Sequence, residues 1–321
     1  MDAAVPVASS PYLSWLSANL QLAERPVLGG PGPSKAVFGY ATGYGAAALE
    51  PFVRSLRACF DGEIVLAVDD RPDVRDLAAR FRVVTAAATP GGWAPHPVVQ
   101  RFAAYDLWLT ERPWIREVLL TDVRDVVFQA DPFAGPLNGL EVFTESENSS
   151  LGDHAFNRKH LRALVGDSLA RSVTAKACIC VGTVLGPAET VSRFCRTLLM
   201  LAAIPRSEVG GSFGADQAAC NLAVHLGLVD ARIQPNFGRV ATIGDQPSDR
   251  LRLDEEGRIL NPDGSVSPIV HQYDRHPHLS EGVRLRWGRE AHDVYRARRK
   301  TLQDRRRKFA ASVGRRLPEL R

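Results

Sequence analysis

Long apolar stretches are missing from this 321-residue sequence. The longest wholly apolar run, Leu198 to Ile204, falls far short of the ~20 residues that span a bilayer. A membrane-spanning protein is therefore not expected. The opening residues, MDAAVPVASS, hold no basic stretch leading into an apolar core, so no secretory leader is expected either. Cysteine is sparse and spaced for neither disulfides nor zinc. Cys59, Cys178, Cys180, Cys195 and Cys220 are odd in number, form no CxxC pair, and read as reduced core thiols of a cytoplasmic protein. There is no internal repeat, and no low-complexity segment before the C-terminal tail. Charge of one sign is scarce as well, with a net balance of only +4. That balance is unevenly spread. Arg296 to Arg321 carries eleven Lys or Arg against Asp304 and Glu319, so the body is mildly acidic and the tail alone is basic. What the chain does have is a 45% apolar content, enough for one large α/β domain or two small ones.

The stretch around which the rest is organised is Val118 to Phe133, VLLTDVRDVVFQADPF. Val118, Leu119 and Leu120 run into Thr121-Asp122, and Arg124-Asp125 run into Val126, Val127 and Phe128. Short apolar runs of this kind read as buried central strand. Carboxylates at the carboxyl end of such a strand sit where open α/β sheets keep their ligand crevice. Two of them suggest a divalent cation, and a cation suggests phosphate. The plainer possibility is that Asp122 and Asp125 cap the strand and pair with Arg124. Side chains three apart on a strand face opposite ways, so Asp122 and Asp125 can share one ion only if the chain turns between them.

On either side, strand and helix patterns alternate. Residues 10–24 place Tyr12, Leu13, Trp15, Leu16 and Leu20 at helical spacing, followed by a linker at Pro26–Pro33. Strands are expected at 35–41, 63–68, 82–85, 140–145 and 178–185, and helices at 46–60, 74–81, 98–111, 188–203 and 218–226. Residues 230–270 read as short strands and turns, ending in Ile269-Val270-His271, and the remainder as increasingly basic helix. This alternation predicts a mostly parallel sheet with right-handed crossovers.

Four pieces fit one chemistry: the strand and turn KAVFGYATGYG (Lys35–Gly45), Arg101 in QRFAAYDLWL, the segment TDVRD (Thr121–Asp125), and IVHQYDRH (Ile269–His276). Together they resemble the GT-A class of nucleotide-sugar glycosyltransferases, above all the glycogenin-like retaining enzymes and the wider group carrying TD-x-RD-x-x-F-Q-x-D-P-F. CVGTVLG (Cys180–Gly186) is similar to that family's N-x-G-V-x-x-G strand, and FGADQAACN (Phe213–Asn221) to its D-Q-x-x-x-N helix start. The resemblance covers roughly residues 35–280.

The resemblance implies a Rossmann-like GT-A domain over 35–280. Residues 1–34 would precede it as a helix and linker, and 281–321 would follow as a basic helical tail. It implies a hexosyltransferase that takes sugar from a nucleotide-diphosphate donor, UDP-hexose above all, to a glycan or lipid-linked acceptor. Asp125 matches the last Asp of the family's DxD, the ligand of Mn²⁺ or Mg²⁺. Asp122 takes the first Asp's place, on metal or ribose, although two residues separate the pair here instead of one. His271 matches the late histidine that completes the metal site. Arg101 matches a basic residue on donor sugar or phosphate. Thr42 and Tyr44 match the turn that holds the base. Asp216 and Gln217 match residues beside the reacting sugar, and Asp216 is alternatively the N-cap of its helix. Chemically, a cation bridging the phosphates, with Arg101 nearby, would stabilise the charge on a departing nucleoside diphosphate.

Two other classes compete. A phosphotransferase of the haloacid dehalogenase type also places Asp at a strand end, but on its first strand. A non-catalytic carbohydrate- or nucleotide-sugar-binding protein of the same fold would keep the residues without turnover. Nucleic acid is not expected as a partner, because the basic tail has no interleaved aromatics. Leu302, Phe309, Val313 and Leu317 would line one side of a tail helix. Such a helix can lie on an anionic membrane surface, and the plain alternative is a solvated end.

Overall fold

KAVFGY and EIVLAV, apolar runs bounded by turn residues, form β1 (Lys35–Tyr40) and β2 (Glu63–Val68). The computed structural model describes residues 11–20, 30, 32–87, 94–146, 149–203 and 213–288. Before β1 lies α1 (Pro11–Asn19). Between and after these strands come α2 (Ala46–Cys59), α3 (Pro72–Arg80), β3 (Val84–Ala87), α4 (Pro97–Glu111) and β4 (Glu117–Thr121). The chain continues through β5 (Val126–Phe128), β6 (Leu140–Thr144), α5 (Ala155–Val173), β7 (Ile179–Pro187), α6 (Ala188–Ala203) and α7 (Ala215–His225). It ends in β8 (Ala231–Gln234), β9 (Val240–Thr242), β10 (Arg252–Leu253), β11 (Ile259–Leu260), β12 (Ile269–His271) and α8 (Pro277–Trp287).

The main sheet has seven strands in the order β3-β2-β1-β4-β7-β6-β8. All neighbours are parallel except β7, which runs against both β4 and β6. The chain steps outward from β1 through β2 to β3, then returns to β4 on the other side of β1. That reversal opens a crevice at the carboxyl ends of β1 and β4. The sheet is apolar on both faces, as a covered parallel sheet must be. Val118 and Leu120 of β4 belong to the core that includes residues of α1, α4, α5, α6 and α7, and Leu119 to the core on the other face with α2 and α3.

The second apolar run of the organising segment leaves this sheet. After Thr121 the chain turns, and β5 joins a three-stranded sheet in the order β5-β12-β9. There β12 is antiparallel to β5 and parallel to β9.

Three details depart from expectation. No helix is expected from sequence over 155–173, yet α5 lies there. Gly166, at φ 76°, breaks its helical period in the middle. β3 starts two residues late, because Arg82 adopts φ 54° in the turn that precedes it. α8 crosses the expected boundary at 280, burying Leu279 and Val283 against the small sheet, so the body extends through it. The tail from residue 289 lies outside the described residues, and so does its expected membrane-facing helix. Among the described residues no helix is long and apolar enough to cross a membrane.

Candidate metal centre and adjoining cleft

The turn between β4 and β5 meets the condition for Asp122 and Asp125 to share an ion. Its two ends are pinned to different elements. The Asp122 amide donates to the Gly182 carbonyl of β7 at 2.8 Å, and the Gln272 amide donates to the Asp125 carbonyl at 2.8 Å. Between them Val123 packs over Gly39, where any Cβ would collide with it. His271 closes β12 opposite Val126, and its ring reaches back to the turn. Its Nε2 lies 3.4 Å from Asp122 Oδ2 and 3.8 Å from Asp125 Oδ2. One ligand atom from each of the three residues falls within 4.8 Å of the others, so the cluster can hold a metal ion.

The fit of these residues to a cation rests on His271 Nε2. The side chain is 1% exposed, and Nε2 is fully enclosed, facing the two carboxylates without a well-formed hydrogen bond to either. A buried polar atom left unpaired costs free energy unless something else satisfies it. The donor set of two carboxylates and an imidazole suits a first-row divalent ion. Burial acts against the imidazolium of His271, but the Cys180 sulfur and the Asp125 and Asp122 carboxylates outweigh it and hold the pKa well above the ordinary histidine value. Burial also acts against ionised Asp122, which Arg101 and His271 overcome, holding its carboxyl far below the usual range. In Asp125 burial prevails over the pull of His271, with Asp122 adding to it, and the pKa rises.

Arg101 sits behind this group on α4. One guanidinium nitrogen, Nη1, donates to Asp122 Oδ1, and Nη2 donates to Asp216 Oδ2 at 2.8 Å. Its Nε donates to the Val98 carbonyl at 3.2 Å. The side chain is 9% exposed, so Arg101 serves as a buried clamp between two carboxylates. Asp216 lies in the first turn of α7, where a carboxylate favours the helix dipole. It is not the cap: Gly214, at φ 95°, holds that position. Burial raises the Asp216 carboxyl, and Arg101 offsets this only in part. One guanidinium between two acids cannot fully stabilise both charges. Gln217 uses both ends of its amide on β7, accepting from the Val181 amide at 2.9 Å and donating to the Ile179 carbonyl at 2.8 Å. It fastens α7, and hence Asp216, to the strand beside the metal cluster.

A cleft of about 360 Å³ opens in front of the cluster. Tyr40, Thr42 and Tyr44 form one wall, the start of α4 with His96 and Arg101 another, and residues 122–125 the floor. Asp69 and Asp73 hold the Thr42–Tyr44 turn by accepting from the Gly43 amide at 2.8 Å and the Ala46 amide at 3.0 Å. Arg124, 37% exposed, also lines the cleft and is paired through Nη1 with Asp274 Oδ2 at 2.5 Å. Of the two arginines it is the one with an accessible side chain.

Sequence reasoning brings Thr42, Tyr44, Arg101, Asp122, Asp125, Asp216, Gln217 and His271 forward, and the fold gathers all but Gln217 around this cleft and cluster, the Gln217 amide being spent on the β7 backbone. It missed Phe213, 65% exposed at the cleft, and His96 beside it. It also missed the part played by Gly182, although CVGTVLG marked the strand. A Cβ on Gly182 would lie 2.3 Å from His271 Cε1 and 2.8 Å from Asp122 Oδ2. A glycine inside an otherwise apolar strand was the available signal. Compared with models of known protein families the chain matches none, and no curated protein matches it.

Proposed function

We propose that this protein is a divalent-metal-dependent glycosyltransferase that moves a hexose from a nucleotide-diphosphate donor to a hydroxyl of a glycan or lipid-linked acceptor. The observation that carries the reading is the Asp122–Asp125–His271 cluster, with Nε2 enclosed and without a well-formed hydrogen bond, at the crevice where the strand order reverses. The GT-A resemblance of the motifs and the mostly parallel sheet with one antiparallel strand, β7, support it as well.

In this reading Asp122, Asp125 and His271 hold Mn²⁺ or Mg²⁺, and the imidazole favours Mn²⁺. The ion supplies charge stabilisation for a diphosphate leaving group. Arg124 faces the phosphates from the cleft wall, while Arg101 keeps Asp122 and Asp216 in place from behind. Thr42 and Tyr44 border the base, and Asp216 stands toward the sugar. The cleft volume lies in the range of small-molecule sites, about 300–1,000 Å³.

The test is calorimetric titration of UDP in the presence and absence of Mn²⁺, on the wild-type protein and on Asp125→Ala. UDP is expected to bind only with Mn²⁺, and Asp125→Ala to abolish that binding with its circular dichroism intact. Unchanged Mn²⁺-dependent affinity in the variant would overturn the assignment. Release of free hexose from UDP-hexoses with added Mn²⁺ separates an enzyme from a non-catalytic binder.

A further inference from the structure

We propose that Cys180 is the positioning residue of the metal centre. Its sulfur accepts the Nδ1–H of His271, which fixes the tautomer that leaves Nε2 bare toward Asp122 and Asp125. The proposal rests on the metal reading of the cluster.

Cys180 Sγ lies 3.5 Å from His271 Nδ1, and both side chains are buried. The two ring nitrogens face opposite sides of the imidazole, so a sulfur at Nδ1 leaves Nε2 facing the carboxylates. In the neutral ring one nitrogen carries the proton and the other presents a lone pair. Ligation through Nε2 therefore requires the proton at Nδ1, and a proton there requires an acceptor. Cys180 is the partner on that side.

β7 supplies this arrangement from Cys180 and Gly182, which both approach the His271 ring. Gly182 lies under the ring, where a Cβ would come within 2.9 Å of Nε2, and Cys180 meets its far edge. Cys178 is occupied elsewhere, donating to Glu145 Oε2 at 3.2 Å and accepting from Asn157 Nδ2 at 3.1 Å. With the sulfur on the Nδ1 side, Cys180 is not itself a metal ligand, which distinguishes this centre from a zinc–thiolate site. A thiol is a weak acceptor compared with a carboxylate. It orients the ring through a weak contact.

The full chain and its Cys180→Ser, Cys180→Ala and Cys180→Val variants are titrated with Mn²⁺, followed by the electron paramagnetic resonance of the free ion, and then loaded with Co²⁺ for absorption spectra. Removing an outer partner of a ligating histidine is expected to weaken Mn²⁺ about 10–100-fold in Cys180→Ala and Cys180→Val. Cys180→Ser, which keeps an acceptor, should recover most of that loss. The Co²⁺ form of the wild type should show ligand-field bands without a near-ultraviolet thiolate band. If Cys180→Val is thermally destabilised, Cys180→Ala together with the Ser rescue decides the question. Wild-type Mn²⁺ affinity in Cys180→Ala or Cys180→Val, no recovery in Cys180→Ser, or a thiolate band on cobalt would overturn the proposal. A wild-type protein that binds no Mn²⁺ would overturn the metal reading itself and this proposal with it.

Discussion

Arg101 answers to two carboxylates at once, and that fact reorders the expected roles at the site. The family resemblance makes Arg101 a donor contact, yet both of its Nη atoms are taken by Asp122 and Asp216. Removing one partner from such a buried pair typically costs about 3–5 kcal/mol, because a charge is left uncompensated. Asp216 is the weaker of the two attachments, since burial raises its pKa despite the guanidinium. The sign of the effect on stability follows. A carboxyl whose folded pKa exceeds its unfolded value binds its proton more tightly when folded, so stability falls as pH rises between the two. Asp216→Asn keeps a hydrogen-bond acceptor for Arg101 and removes that penalty. Its melting temperature relative to wild type should therefore rise with pH from the acid range to neutrality. Turnover should move the other way, falling on the order of 10²-fold with little change in KM if the carboxylate stabilises charge on the reacting sugar. Melting curves from pH 3 to 7 and steady-state kinetics check both halves. Wild-type kcat would leave Asp216 a purely structural residue.

At the scale of elements, β7 does most of the assembling. It crosses the main sheet antiparallel to its neighbours, its Gly182 carbonyl holds the Asp122 amide, and its inner face cradles the His271 ring. Gly182→Ala should cost Mn²⁺ affinity about tenfold or more, since a Cβ there displaces either His271 or Asp122. An unaltered Mn²⁺ isotherm in that variant would show the close approach to be unimportant. Such a strand is only half legible in sequence. The run CICVGTVL announces a buried strand, and short continuous apolar runs mark most of the main-sheet strands in the same way. What hydrophobic patterning does not carry is direction or partnership. Nothing in residues 118–128 says that Val118–Leu120 and Val126–Phe128 enter different sheets, because the distinction depends on where residues 240 and 269 dock. For the same reason the meeting of Asp122 with Asp125 stayed conditional on a turn. α5 was missed for a local reason: Gly166 divides it into two short pieces, neither long enough to display a clear stripe.

At the scale of the whole molecule, the three candidate ligands do not belong to one sheet. Asp122 follows a strand of the seven-stranded sheet, whereas Asp125 and His271 bracket paired strands of the three-stranded one. The cluster is thus a seam. An ion seated there would cross-link the two layers, and ligand binding stabilises only those openings that must break its bonds. Amide hydrogen exchange should register this unevenly. Mn²⁺ is expected to slow exchange at Val126–Phe128 and Ile269–His271, while β2 and β3 at the far edge keep their rates. Uniform protection, or none at the seam, would show that the ion does not join the layers. The small sheet already shares a core with the main sheet, Phe128, Val240 and Ile269 lying with Leu119 and Leu185, so an ion in the cluster would add a bond to that packing and tighten the hold of the cleft's floor on its wall.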